Sequence, residues 1–177
     1  MLRRFDMMKN RLNIFILLIV YVLGSASCSG NSSEKQDSVV LSKDFQEEMW
    51  GRFDYLEASY NVQNAPMTAN LVMEIEVSDV YPNIYPYHDD DNGVFTVAFS
   101  INAPDGSRRS RELNFYLKDK EGNFKSENVN GYYHFELPMI DEMRFNEAGD
   151  YSFKVENKYS KDPLYGIKKL VIKCLTE

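Results

Sequence analysis

The stretch Ala69-Asn70-Leu71-Val72-Met73-Glu74-Ile75-Glu76-Val77 decides the fold class. Leu71, Met73, Ile75 and Val77 fall on one side of an extended chain, with Glu74 and Glu76 on the other. That period of two marks a strand with one dry face and one wet face. The pattern recurs outward from this stretch. Residues 93–101 align Phe95, Val97, Phe99 and Ile101, and residues 111–118 align Leu113, Phe115 and Leu117. Residues 132–137 carry Tyr133, Phe135 and Leu137, and residues 150–156 carry Tyr151, Phe153 and Val155. A strand over 52–62, with Phe53, Tyr55, Leu56 and Tyr60, and a closing one over 167–175 complete the set.

Turn chemistry separates these runs. Ala103-Pro104-Asp105-Gly106 has a proline to preset φ and a glycine to take a positive one, and Lys120-Glu121-Gly122-Asn123 does similar duty. Pro82, Pro86, Pro138 and Pro163 are expected between strands, where none deletes a ladder donor. About seven strands of this length predict an all-β fold, an antiparallel β-sandwich whose apolar faces meet in one core. A single short helix is expected over 43–49, capped by Ser42. No internal repeat is present, so the body is one domain over 45–177.

Composition agrees. The chain has 177 residues, 44% of them hydrophobic and 14% aromatic, with 12 Tyr and 11 Phe against 1 Trp. Such a balance excludes a largely disordered chain and leans toward β structure. A net charge of −7 lacks the basic stripe a nucleic-acid binder needs, so no nucleic-acid partner is expected.

The first residues read differently. Arg3, Arg4, Lys9 and Arg11 precede an unbroken apolar run from Ile14 to Leu23. Ten helical residues rise about 15 Å, half of a hydrocarbon core about 30 Å thick, which suits the apolar region of a signal peptide. Gly24-Ser25-Ala26-Ser27 then leads to Cys28, small residues ending on a cysteine as in a bacterial lipobox. Ser25 stands where a leucine is usual. Residues 1–27 are therefore expected to be a lipoprotein signal peptide, and Cys28 the lipid-bearing N-terminus and the contact with membrane lipid. The alternative is an ordinary secretory signal in which Cys28 is incidental.

Residues 28–44, polar and turn-rich from Ser29 onward, are expected to be a flexible tether. Ser29 in place of Asp points to the outer membrane. Without residues 1–27 the chain keeps 16 basic and 26 acidic residues, a net charge of −10, and anionic lipid repels such a body. A lipid on Cys28 leaves Cys174 without a disulfide partner, and its alternation with Leu170 and Ile172 marks it as a small buried hydrophobe.

Few residues suggest chemistry. Clustered carboxylates at Asp89, Asp90 and Asp91, after His88 and before Asn92-Gly93, suit a hard cation such as calcium. They suit a solvated hairpin tip with Asn-Gly as its turn better, and that is the expectation adopted. With Gly93 at the sixth position of an EF-hand loop, Phe99 stands where the bidentate Glu belongs. His88 and His134 lie on different expected elements, and neither has a second ligand at zinc spacing. No Gly-x-Ser-x-Gly or phosphate loop occurs, so no catalytic residue, metal or cofactor is assigned. Arg108, Arg109 and Arg111 read as a solvated edge that discourages aggregation, or else as a contact for an anionic partner. Tyr81, Tyr85 and Tyr87, interleaved with Pro82 and Pro86, form a stiff amphipathic segment. It suits a partner-contact loop and, equally, a cover for one end of the core.

Several separated stretches then share one order. Tyr85-Pro86-Tyr87, Leu117-Lys118-Asp119-Lys120-Glu121-Gly122-Asn123-Phe124, Phe145-Asn146-Glu147-Ala148-Gly149-Asp150-Tyr151 and Leu164-Tyr165-Gly166-Ile167 before Leu170-Val171-Ile172 follow one another. From about Trp50 onward, with Cys28 in the expected place, the chain resembles the gliding-motility lipoprotein GldH family. It departs at Val77-Ser78, where the family has Arg-Asn, and at the acidic run from His88 to Asn92, where Ser-Asn-Leu is usual. Ser126 and Asn128 replace family glycines. The resemblance implies a membrane-anchored, non-catalytic accessory subunit of a gliding machinery with other envelope proteins as partners. Two further readings stand beside it. One is a carbohydrate-binding surface lipoprotein of a nutrient-capture system, stacking sugars on the tyrosine segment or on Trp50. The other, ranked last, is a hydrolase with paired carboxylates in a cleft between sheets.

Overall fold

The 69–77 stretch forms the middle of the larger of two main sheets. The structure is a computed structural model and describes residues 37–82 and 94–176, all within one unit spanning Lys35–Glu177. Cys28, Tyr85, Tyr87 and the acidic residues 89–91 lie outside the described residues. The strands are β1 (Ser38–Asp44), β2 (Met49–Trp50), β3 (Leu56–Val62), β4 (Met67–Ser78), β5 (Val94–Asn102) and β6 (Arg108–Tyr116). They continue with β7 (Asn128–Val129), β8 (Tyr132–Phe145), β9 (Gly149–Asn157), β10 (Leu164–Tyr165) and β11 (Ile167–Thr176).

Among these residues a five-stranded sheet runs in the order β1-β11-β4-β8-β7 and a four-stranded sheet in the order β3-β9-β5-β6. A two-residue ladder joins β10 to β2. Every pairing is antiparallel, and the seven expected strands are all present. Leu71, Met73, Ile75 and Val77 on β4 and Phe95, Val97, Phe99 and Ile101 on β5 are buried in one core cluster. Aromatic rings fill the layer between the sheets, Phe99 against Phe153 at 5.8 Å and Phe145 edge-on to Tyr151 at 5.0 Å. Burying each such side chain contributes about 1.5–3 kcal/mol. The fold is an all-β antiparallel sandwich.

Four expectations change. The tether assigned to 28–44 ends in a strand: β1 pairs with β11 from Ser38 opposite Cys174 to Asp44 opposite Lys169, burying Val40 and Leu41. An edge strand with a bulge buries so little that its polar flanks dominate its appearance. The expected helix is a single 3-10 turn, Gln46–Glu48, entered at Phe45 without a side-chain cap. Ser42 belongs to β1 instead, paired with Val171.

The expected 52–62 strand begins only at Leu56, because residues 51–55 form a loop in which Trp50 Nε1 donates to Asp54 O at 2.7 Å. Pro138 stands inside β8, not between strands, opposite Val72 where the register shifts. It is tolerated because β8 has β4 on one side and β7 covers only Tyr132 and Tyr133 on the other.

The turn at Ala103-Pro104-Asp105-Gly106 forms as expected. Gly106 takes a φ of 83° and its amide donates to Ala103 O at 3.0 Å. The chain enters the sandwich at Ser38, beside Cys174 and Tyr60, so strand direction defines an entry end and a far end.

Candidate functional site around Tyr81 and Lys118

A cluster of ties lies at the far end, where β4 finishes. Ser78 N donates to Gly166 O at 2.9 Å, and Tyr81 N donates to Ser78 O at 3.0 Å, which turns the chain across the end of the core. Tyr81 is 2% exposed, and its hydroxyl donates to Val94 O at 3.4 Å, which ties the end of β4 to the start of β5. Burial pushes its phenol well above the ordinary tyrosine range.

Lys118 follows β6 and is 6% exposed, rare for a lysine. Its ammonium donates to Tyr81 O at 3.1 Å and lies 4.2 Å from the centre of the Phe124 ring. Phe124 stacks on Tyr133 at 3.9 Å, and the Tyr133 hydroxyl donates to Asp79 Oδ1 at 3.0 Å. Burial lowers the Lys118 pKa, and the Asp79 carboxylate opposes it. A hydrogen bond and a π face thus replace part of the lost hydration.

A second tie lies beside the first. Glu48, from the 3-10 turn, accepts from Ser78 Oγ at 2.6 Å and from the Tyr132 hydroxyl at 2.8 Å. These bonds, Ser78 first, hold its carboxyl below the ordinary glutamate range. The arrangement ties the end of β4 to the 3-10 turn and to β8.

The predicted site residues separate accordingly. Tyr81 belongs to the core, where its ring covers the end of the sandwich, the second of the two roles expected of it. Trp50, at 0% exposed, cannot serve as a stacking platform. Arg108, Arg109 and Arg111 lie on β6, the edge strand of the smaller sheet among the described residues. Cys174 is a buried free thiol on β11, as its alternation predicted. Glu76 and His134 approach to 3.8 Å on the outer face of the larger sheet. No group of three metal-ligating side chains occurs among the described residues.

Lys118 and Phe124 went unassigned because a lysine next to a turn reads as solvated. The exposed large side chains were also missed. Phe53, Tyr55, Val80, Tyr116, Val129 and Tyr165 lie toward the far end, while Val39 lies at the chain's entry.

The segments assembled here coincide with those that carried the resemblance: Leu117 to Phe124, and Leu164 to Ile167. Residues 40–173 match the family described as GldH lipoprotein. The chain belongs to the GldH lipoprotein family. Its match starts within β1, consistent with β1 being part of the domain. No curated protein matches the chain.

Among solved structures, the chain is similar to dimeric latent PorU from Porphyromonas gingivalis, at 9% identity and a TM-score of 0.40, over 84% of this chain and 14% of that one. It is also similar to a family 35 carbohydrate binding module from Clostridium thermocellum, at 9% identity and a TM-score of 0.36, over 77% of this chain and 97% of that one. The C-terminal CBM6 of LamC from Zobellia galactanivorans gives 16% identity and a TM-score of 0.29, over 80% and 100%.

Proposed function

We propose that this GldH-family lipoprotein is held in the cell envelope by a lipid on Cys28, at the outer membrane, and serves a gliding-type machinery as a non-catalytic interaction subunit. The observation that carries the reading is the family match over 40–173, in a chain whose Cys28 stands ten residues before the first strand. A linker of that length extends at most about 35 Å, enough to hold the sandwich just off a bilayer. The exposed rings at the far end, Phe53, Tyr55 and Tyr165 among them, would then face away from the membrane toward other envelope proteins.

The sugar-binding alternative loses support with the burial of Trp50 and Tyr81. Deleting the gene in its host tests the assembly role. Surface spreading should be lost, restored by the wild-type gene and not by Cys28→Ala. Spreading that survives the deletion would remove the machinery from this account.

A further inference from the structure

The two sheets are joined along one side and open along the other. On the joined side Ser38 Oγ of β1 donates to the Tyr60 hydroxyl of β3 at 3.2 Å. On the open side β6 is, among the described residues, paired with β5 alone, and its nine residues present a backbone edge. A cleft of about 410 Å³ lies there, with Phe99, Ile101, Ile140 and Met143 among its lining.

Arg109 and Arg111 also line it. In the register of β5 and β6, Arg111 is opposite Phe99 and Arg109 opposite Ile101, in line with Leu113 opposite Val97 and Phe115 opposite Phe95. Two arginines thus take core-facing positions where a sandwich normally places apolar residues. Arg144, from β8, also borders the cleft, at an exposed position between buried Met143 and Phe145. None of the three makes an ion pair or hydrogen bond among the described residues, although Asp141 and Glu142 line the same cleft and the Asp105 carboxylate interacts with Arg109 at longer range. Arg108, which faces the other way, reaches Ser100 Oγ at 3.4 Å.

We propose that this cleft receives an extended acidic peptide segment of a partner protein, added antiparallel to β6. Its side chains would alternate every second residue. Two carboxylates spaced i and i+2 meet Arg111 and Arg109, where planar guanidinium forks accept them in paired bonds. An apolar residue two positions earlier meets Leu113. The recognised order, read along the partner, is apolar-x-acid-x-acid. The same arginines reject a second copy of this chain, because β6 laid on β6 sets like charges on one face.

The test uses the full chain in a non-ionic detergent and a fluorescein-labelled peptide, acetyl-Thr-Val-Thr-Glu-Thr-Glu-Thr-amide, read by anisotropy. Saturable binding is expected, weakened as salt rises and reduced about tenfold or more by R109E/R111E. The peptide with Lys in place of Glu should not bind. Thermal melts of the variants confirm the fold; the altered side chains are solvent-exposed. The proposal is overturned by no saturable binding at millimolar peptide, by equal binding to R109E/R111E, or by equal binding of the Lys peptide. Arginine-dependent binding to phosphatidylglycerol vesicles in place of the peptide, or self-association through β6, would also overturn it.

Discussion

A Cβ placed on Gly166 would lie 2.3 Å from the Tyr81 amide nitrogen, so these two backbones meet with no room for a side chain between them. Gly166 also holds a φ of 76°, a conformation that other residues adopt at a cost. Gly166→Ala should therefore destabilise the domain by about 3 kcal/mol or more. Urea unfolding measures it, and a loss below about 1 kcal/mol would mean that the contact relaxes easily.

Glu48 ties the 3-10 turn to β4 and β8 in a pH-dependent way. Its carboxyl is held below the ordinary range in the fold, so its contribution is full above the unfolded carboxylate pKa of about 4.3. It is lost as pH falls through the lower folded value. Wild type should exceed Glu48→Gln in stability at neutral pH, and the difference should shrink with acidification. A difference that grows in acid would contradict these bonds.

Lys118 titrates with the opposite sign. Its folded pKa is lowered, so between that value and the unfolded one near 10.4 the unfolded chain binds more protons, and stability rises with pH. Compared with Lys118→Met, the wild-type chain should gain stability as pH climbs toward about 10.4. Denaturant midpoints of the two chains across that window decide it, and parallel curves would show that Lys118 is not desolvated.

Trp50 and Phe53 make a paired test of burial. Trp50 is fully enclosed and packs against Phe45 at 5.3 Å, whereas Phe53 is 73% exposed. Trp50→Ala should cost about 3–5 kcal/mol and Phe53→Ala less than about 0.5 kcal/mol. If Phe53 contacts a partner, its substitution should weaken assembly and leave the melting temperature in place.

These residues also show what was legible in the sequence. Strict alternation exposed β4, β5 and β9 because each is covered on one face and wet on the other. The C-terminal half of β8 was hidden behind Pro138, which ends a strand only if both edges are paired. Strand order was not readable, since pairing β1 with β11 joins the two ends of the domain and leaves no local signal. Tyr81 suits a core as well as an interface, and only the folded structure, which leaves it 2% exposed, places it in the core. Lys118 and Phe124 meet Tyr81 from a distant part of the chain, so no spacing rule could join them.

The account rests on an anchored chain, and the most direct measurement is the intact mass of the protein extracted from its host's membranes, beside a Cys28→Ala version. The account predicts a chain that starts at Cys28 and is heavier by a diacylglyceryl and an acyl group, with the Cys28→Ala version unlipidated and released from the membrane. An unmodified chain cut at another position would contradict it.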